Sequence, residues 1–211
     1  MIMSVLLFDL SDVIVRGLKG SEAALSKELQ LSPGVIHRQF HEPELRELFL
    51  GQIDEPYYLN TLIARHRWNT TVEALQQRIR ENMIEIDGMF SLLAELKERN
   101  HTMALLSNHT APWVEHMEQR YPQIAEYFPT RLYSHEIHLA KPDPVVFHRA
   151  AEELGTRPSE MLFIDDHQPN LIGAAQTGMQ TLQFQTPHQL RQALIMNGYI
   201  PIHSFHSPKQ E

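Results

Sequence analysis

Val5-Leu6-Leu7-Phe8-Asp9-Leu10-Ser11-Asp12 sets an apolar run directly against an acid. Consecutive large apolar side chains read as a strand buried on both faces, and Asp9 ends it. The same pattern recurs downstream. Met103-Ala104-Leu105-Leu106 runs into Ser107-Asn108, and Met161-Leu162-Phe163-Ile164 runs into Asp165-Asp166. Arg131-Leu132-Tyr133 and Thr181-Leu182-Gln183-Phe184 read as two further strands. Between the strands the apolar residues fall at helical spacing, over Phe90 to Arg99, Pro112 to Arg120, Pro144 to Leu154, Pro169 to Gly178 and His188 to Met196. Strands that alternate with helices imply a parallel sheet covered on both faces. The fold class expected is α/β, a doubly wound, Rossmann-like sheet.

Residues 17–84 break that alternation. Ser21 precedes an amphipathic stretch with Leu25 and Leu29, and Ser32-Pro33 reads as an N-cap followed by a proline at the first helical position. Leu45, Leu48 and Phe49 share one helical face, and Tyr57 to Arg67 and Thr71 to Met83 read as two more helices. The stretch is too long for a crossover. It predicts an all-helical domain over 17–84, inserted into an α/β core made of 1–16 and 85–211. The tail from Pro201 is expected to be loosely held.

Composition narrows the function classes. The apolar fraction of 42% is ordinary for a globular chain, and the net charge of -8 comes with no basic run, so nucleic acid is not an expected partner. The absence of cysteine excludes disulfides, thiol nucleophiles and thiolate metal sites, and is compatible with a cytoplasmic setting. Val5–Phe8 is far too short for a signal peptide or a membrane span. The 13 histidines are scattered rather than clustered as a metal tract.

In an open parallel sheet the carboxyl ends of the strands form the crevice that binds ligands. Asp9, Ser107-Asn108 and Asp165-Asp166 are therefore expected to converge, and Lys141 can join them from a loop. Facing carboxylates repel unless a cation sits between them. Hard oxygen donors of this kind suit Mg²⁺, which retains waters and a substrate phosphate. The ammonium, hydroxyl and amide groups suit phosphate oxygens.

Phe8-Asp9-Leu10-Ser11-Asp12-Val13, Leu106-Ser107-Asn108, Lys141-Pro142-Asp143-Pro144 and Phe163-Ile164-Asp165-Asp166 resemble the four ordered motifs of the haloacid dehalogenase-like hydrolase superfamily. Asn170, Ala174 and Gly178 fit the helix after the last motif. The helical block matches in place and length the cap that one subgroup inserts between motifs one and two. The chain is similar to sugar-1-phosphatase-like members and to the phosphatase-like domain of soluble epoxide hydrolases. The resemblance implies a Mg²⁺-dependent phosphatase acting on a small phosphorylated metabolite. It makes Asp9 the nucleophile, and Asp9, the Ser11 carbonyl and Asp166 the metal ligands, with Asp165 acting directly or through water. It assigns Ser107, Asn108 and Lys141 to the transferring phosphoryl group, and gives Lys141 the further task of neutralising Asp9.

The resemblance is incomplete at Ser11, where phosphatases of the family usually carry a second aspartate that protonates the leaving group. A general acid contributes roughly a hundredfold to ten-thousandfold. Asp12, a cap residue or a bound water could supply the proton, or the substrate could carry a good leaving group such as an anomeric or acyl phosphate. A metal-independent 2-haloacid dehalogenase is one alternative, disfavoured by Asp165-Asp166. A phosphometabolite-binding module of low or no activity is the other. Asp12 reads as structural, because aspartate tolerates the positive φ of a position where relatives carry glycine. His109 follows the second motif and could face the pocket, although a loop histidine is more often merely exposed, and the same two readings hold for His167; Trp68 and Trp113 read as packing residues. His37 and His41 lie where a substrate could be read.

Overall fold

The computed structural model describes residues 5–201; of the tail expected to be loose, residues 202–211 lie outside the described residues. Five strands, β1 (Val5–Phe8), β2 (Thr102–Ser107), β3 (Thr130–Tyr133), β4 (Met161–Asp165) and β5 (Gln180–Gln183), form one parallel sheet in the order β3-β2-β1-β4-β5. This is the doubly wound sheet that the alternation implies. The order reverses direction at β1, which places the ligand crevice at its carboxyl end. Phe8 pairs with both Leu105 and Ile164. Asp9, one step beyond, therefore stands level with the ends of β2 and β4.

The three inner strands, β1, β2 and β4, are apolar on both faces, so each residue in turn feeds a different core. Leu6, Phe8, Met103, Leu105, Leu162 and Ile164 belong to one buried cluster. Val5, Leu7, Ala104, Leu106, Met161 and Phe163 belong to the other. The period of two in a strand produces this split without any polar residue to mark it.

Helices α1 (Ser21–Leu29), α2 (Pro33–Phe40), α3 (Pro43–Phe49), α4 (Glu55–His66) and α5 (Val72–Asn82) lie between β1 and β2. They are followed by α6 (Met89–Glu98), α7 (Ala111–Arg120), α8 (Gln123–Tyr127), α9 (Ser134–Ile137), α10 (Pro144–Glu153), α11 (Gln168–Gln176) and α12 (Pro187–Met196). Proline stands in the first two positions of α2, α3, α4, α7, α10, α11 and α12, where its missing N–H costs nothing. Ser32 takes the N-cap position of α2, but its side chain makes no capping bond. The sequence reading omits α8 and α9, which at five and four residues carry too little periodicity to register. The last strand ends one residue earlier than expected; the Phe184 N–H instead bonds the Asp165 carbonyl at 2.9 Å. Among the described residues no helix is long and apolar enough to cross a membrane.

The chain enters and leaves the five-helix block side by side. The Arg16 N–H donates to the Ile84 carbonyl at 2.8 Å, and the Ile86 N–H to the Ile14 carbonyl at 2.9 Å. The block is tied to the sheet domain a second time by Glu55. This buried carboxylate accepts from the Arg80 guanidinium at 2.8 Å and from the Trp113 indole N–H at 2.5 Å. Trp113 thus packs, as expected, and also carries a polar link from α7 to α4. Removing one partner of a buried charged set leaves the others uncompensated. Glu55→Ala is expected to lower the unfolding free energy by about 3 kcal/mol, and Glu55→Gln by less. Equilibrium urea denaturation of the two variants checks this.

Candidate active site

The carboxyl ends of β1, β2 and β4 bring the motif residues together, as the register requires. Asp9 is 7% exposed. Its Oδ1 accepts three hydrogen bonds, from the Leu10 N–H at 2.7 Å, the Ser107 hydroxyl at 2.8 Å and the Lys141 ammonium at 2.8 Å. Its Oδ2 accepts from no group among the described residues, and Asp9 lines the cavity. One oxygen anchors the carboxylate and the other is left for chemistry. Burial pushes the Asp9 pKa up to about 7; the Lys141 charge opposes the rise and the Asp165 charge adds to it.

Lys141 lies between two acids. Its Nζ is 2.8 Å from Asp9 Oδ1 and 2.8 Å from Asp165 Oδ2. Burial works against its charge, but Asp165 and Asp9 outweigh burial and hold its pKa above the ordinary lysine value. Asn108 fixes the lysine from behind. Its amide donates to the Lys141 carbonyl at 2.9 Å and accepts from the Lys141 N–H at 3.0 Å. Gly173 of α11 closes on the next residue, since a Cβ there would lie 2.1 Å from the Pro142 carbonyl oxygen.

Asp165 is saturated. Besides Lys141, its Oδ2 accepts from the Asn170 amide at 3.0 Å, and its Oδ1 accepts from the His167 N–H at 2.7 Å. Asp166 is looser. Its Oδ2 meets the Lys19 ammonium at 3.2 Å, and the lysine side chain is 65% exposed. An ion pair this exposed holds Asp166 by about 1 kcal/mol or less, so the carboxylate can change partners. Oxygens of Asp9, Asp165 and Asp166 all lie within 4.8 Å of one another. A clustered, all-oxygen donor set in which Asp9 Oδ2 and Asp166 Oδ1 accept from no group among the described residues fits a small hard cation such as Mg²⁺.

Ser11 and Asp12 follow in a tight turn. Asp12 takes φ 59°, the positive value expected of it, and its carboxylate accepts from the Gly17 N–H at 3.3 Å. The Ser11 hydroxyl meets His109 Nε2 at 2.7 Å. Of the two sequence readings of His109, the structure shows the one that faces the pocket, since His109 lines the cavity. The ring is 1% exposed rather than a surface loop residue. Its backbone N–H donates to the Ser134 hydroxyl at 3.0 Å, and its carbonyl accepts from His135 Nδ1 at 2.8 Å. Phe49 and Trp113 flank the ring, with centroids 6.3 Å and 6.0 Å away. The place of His109 directly after Ser107-Asn108 is the signal for a pocket-facing ring, whereas its full burial depends on Phe49 of α3 and Trp113 of α7, which come from distant stretches of chain.

A cavity of about 460 Å³ opens over these groups, with Asp9, Ser11, Lys141 and Asp166 on its floor and His37, His41, Leu45 and Phe49 among its other lining residues. His37 Nδ1 is 2.8 Å from Glu22 Oε1, and the His37 and His41 rings lie 4.0 Å apart. His167 lines the same cavity. Lys19 and Glu22 were not singled out by sequence. A lone lysine and a helical glutamate carry no pattern of their own.

Burial, the Lys141 charge and, to a lesser extent, His135 push the His109 pKa down from 6.5 to about 3. Between those values the unfolded chain holds one more proton at this position than the folded chain, so acid favours unfolding. Stability is expected to fall with decreasing pH across this window by up to about 1.4 kcal/mol per pH unit from this group. His109→Gln should remove that contribution. Urea denaturation of both proteins at several pH values between 4 and 7 measures the difference in slope.

Residues 6–184 match the family model of the haloacid dehalogenase-like hydrolases. Flavin mononucleotide hydrolase 1 of Arabidopsis thaliana is 26% identical over 194 residues, which cover 90% of this chain and 76% of that protein. Bifunctional epoxide hydrolase 2 of Mus musculus is 23% identical over 207 residues, covering 86% of this chain but only 36% of that longer protein. A HAD family enzyme of Bacteroides thetaiotaomicron, crystallised with magnesium and inorganic phosphate, superposes with a TM-score of 0.71 at 22% identity over 87% of this chain and 95% of that one. An L-2-haloacid dehalogenase superposes with a TM-score of 0.69 at 18% identity over 87% and 86% of the two chains. The structural likenesses speak for the fold. The family match runs from β1 to Phe184, through every element that carries the site, and the chain belongs to the haloacid dehalogenase-like hydrolases.

Proposed function

We propose that the chain is a Mg²⁺-dependent phosphatase that hydrolyses a small phosphomonoester through an aspartyl-phosphate on Asp9. The observation that carries this reading is the asymmetry of the Asp9 carboxylate. Oδ1 is held by three donors while Oδ2 is unbonded, beside a buried ammonium. A carboxylate oxygen fixed in place and short of donors is a competent nucleophile toward phosphorus. In the first step a bond forms from Asp9 Oδ2 to phosphorus, and the bond from phosphorus to the leaving oxygen breaks. In the second, water attacks phosphorus, the Asp9 carboxylate is released and inorganic phosphate departs.

Lys141 and the Ser107 hydroxyl hold phosphoryl oxygens and spread the charge that develops on them. Asn108 contributes through Lys141, whose main chain it grips, and has one further amide N–H for the phosphoryl group. Asp9, the Ser11 carbonyl and Asp166 would hold Mg²⁺, with Asp165 acting directly or through water. When bound, the ion supplies positive charge to the carboxylates and to the phosphoryl oxygens. Residues 17–84 act as a cap in this reading, and His37 and His41 face the part of the substrate that distinguishes one phosphomonoester from another. An anomeric or other activated phosphate of a small sugar fits the lack of a carboxylic acid at position 11. The likeness to the flavin mononucleotide hydrolase of Arabidopsis and the Asp165-Asp166 pair support the phosphatase reading over halide displacement.

Inorganic phosphate release from a panel of phosphorylated sugars is expected, lost on adding EDTA, restored by Mg²⁺ and abolished in Asp9→Asn. Ser11→Asp is expected to speed poor leaving groups by roughly a hundredfold to ten-thousandfold and good ones far less. Chloride release from a 2-haloacid without metal would overturn the assignment.

A further inference from the structure

His109 is buried, bonded to Ser11 and given no task by the reaction above. We propose that His109 is a positioning residue that donates from Nε2 to the Ser11 hydroxyl oxygen, so that the single Ser11 proton points into the cavity toward the leaving-group oxygen.

The direction of this bond follows from what surrounds the ring. Nε2 lies 2.7 Å from Ser11 Oγ, and Nδ1 is buried with no hydrogen-bond partner among the described residues. A proton on Nδ1 would be an orphaned buried donor, which costs about 1–3 kcal/mol and is rarer than an orphaned acceptor. The proton therefore sits on Nε2, and Ser11 Oγ is the acceptor.

The other side of Ser11 is closed as well. A Cβ at Gly17 would lie 2.4 Å from Ser11 Oγ, so the hydroxyl is wedged between the Gly17 backbone and the imidazole. With one lone pair taken and that flank filled, the O–H is left to point into the cavity that Ser11 lines. The ring is confined: it is 1% exposed, its backbone is bonded to Ser134 and His135, and the Phe49 and Trp113 rings pack against it in T-shaped contacts.

Such a pair donates a hydrogen bond but not a proton. As the bond from phosphorus to the leaving oxygen breaks, that oxygen keeps the electron pair and Ser11 O–H stabilises it. The proton it finally takes comes from water. Neither Ser11 nor His109 changes protonation state, so the pair does the orienting half of what a carboxylic acid at position 11 would do. The inference rests on the phosphatase reading for its kinetic consequence and on the structure alone for its hydrogen bond.

The test has two arms. Nitrogen-15 NMR of the histidine side chains reads the tautomer without any turnover. A signal from Nε2–H at His109 that shifts in Ser11→Ala is expected, whereas a proton on Nδ1 overturns the proposal whether or not the protein is a phosphatase. The second arm is a double-mutant cycle of Ser11→Ala and His109→Leu with Mg²⁺ and a series of nitro-substituted phenyl phosphates. His109→Leu is expected to lower kcat roughly ten- to hundredfold for the poorest leaving groups and little for the best, with KM nearly constant. The loss should disappear in the Ser11→Ala background, and His109→Gln, which keeps a donor, should recover most of it. Equal losses for all leaving groups, or losses that add in the double variant, would show a merely structural ring. If the wild-type chain releases no phosphate from any ester, the phosphatase reading fails, and the NMR arm alone decides the fate of the Ser11–His109 bond.

Discussion

Two buried carboxylates share one ammonium: Lys141 Nζ stands 2.8 Å from both Asp9 and Asp165. Without it, like charges would face each other in a low-dielectric pocket, and one of them would have to take up a proton. Much of the local architecture serves to keep that ammonium in place. Asn108 holds the lysine main chain at both its N–H and its carbonyl. The bare backbone of Gly173 lets α11 press against Pro142. Asn170, on the same helix, shares the Asp165 oxygen that faces the lysine. The central strand ends at Asp9, so the most buried part of the sheet delivers its first charge directly to this cluster.

A second layer of contacts walls the cavity above the cluster. The helical block closes over the strand ends and brings Phe49 against His109, while the Phe49 carbonyl accepts from the Ser134 hydroxyl at 2.5 Å. The Leu50 carbonyl accepts from His138 Nδ1 at 2.9 Å. Through these links the helices both wall the cavity and set the surroundings of Ser11. Packing and the surroundings of the first motif are therefore coupled at one ring, His109, which meets Phe49 of the block and bonds Ser11 of the first motif through Nε2.

The sheet was legible because apolar runs that end in acids or amides have few other physical readings. Val5–Phe8 and Met161–Ile164 each stop at an aspartate, and the parallel register then forces those aspartates to one level. Lys141 was legible from its Lys-Pro-Asp-Pro setting, since a loop entering a helix at that point reaches the same crevice. The helices α8 and α9 were not, being shorter than the span over which a helical period shows. His109 was legible only as one of two readings, exposed or facing the pocket. A histidine after a strand is ordinarily solvated, and only the return of α3 over the crevice makes it a core residue. The Asp166 to Lys19 pair is likewise invisible to local pattern, because it joins residues 147 apart in the chain.

The two crossings between sheet and helices, at 14–16 and 84–86, are hydrogen-bonded to each other. Everything between them is thus hung from a closed neck. A neck of this kind separates the evolutionary fates of the two parts. Helices beyond it can lengthen, shorten or be exchanged without altering the distance between their points of attachment, and the sheet need not readjust. Selection can then revise the cavity walls while the strand ends that gather the motif residues stay as they are. The same property makes this neck the natural place to graft a foreign helical block onto the chain.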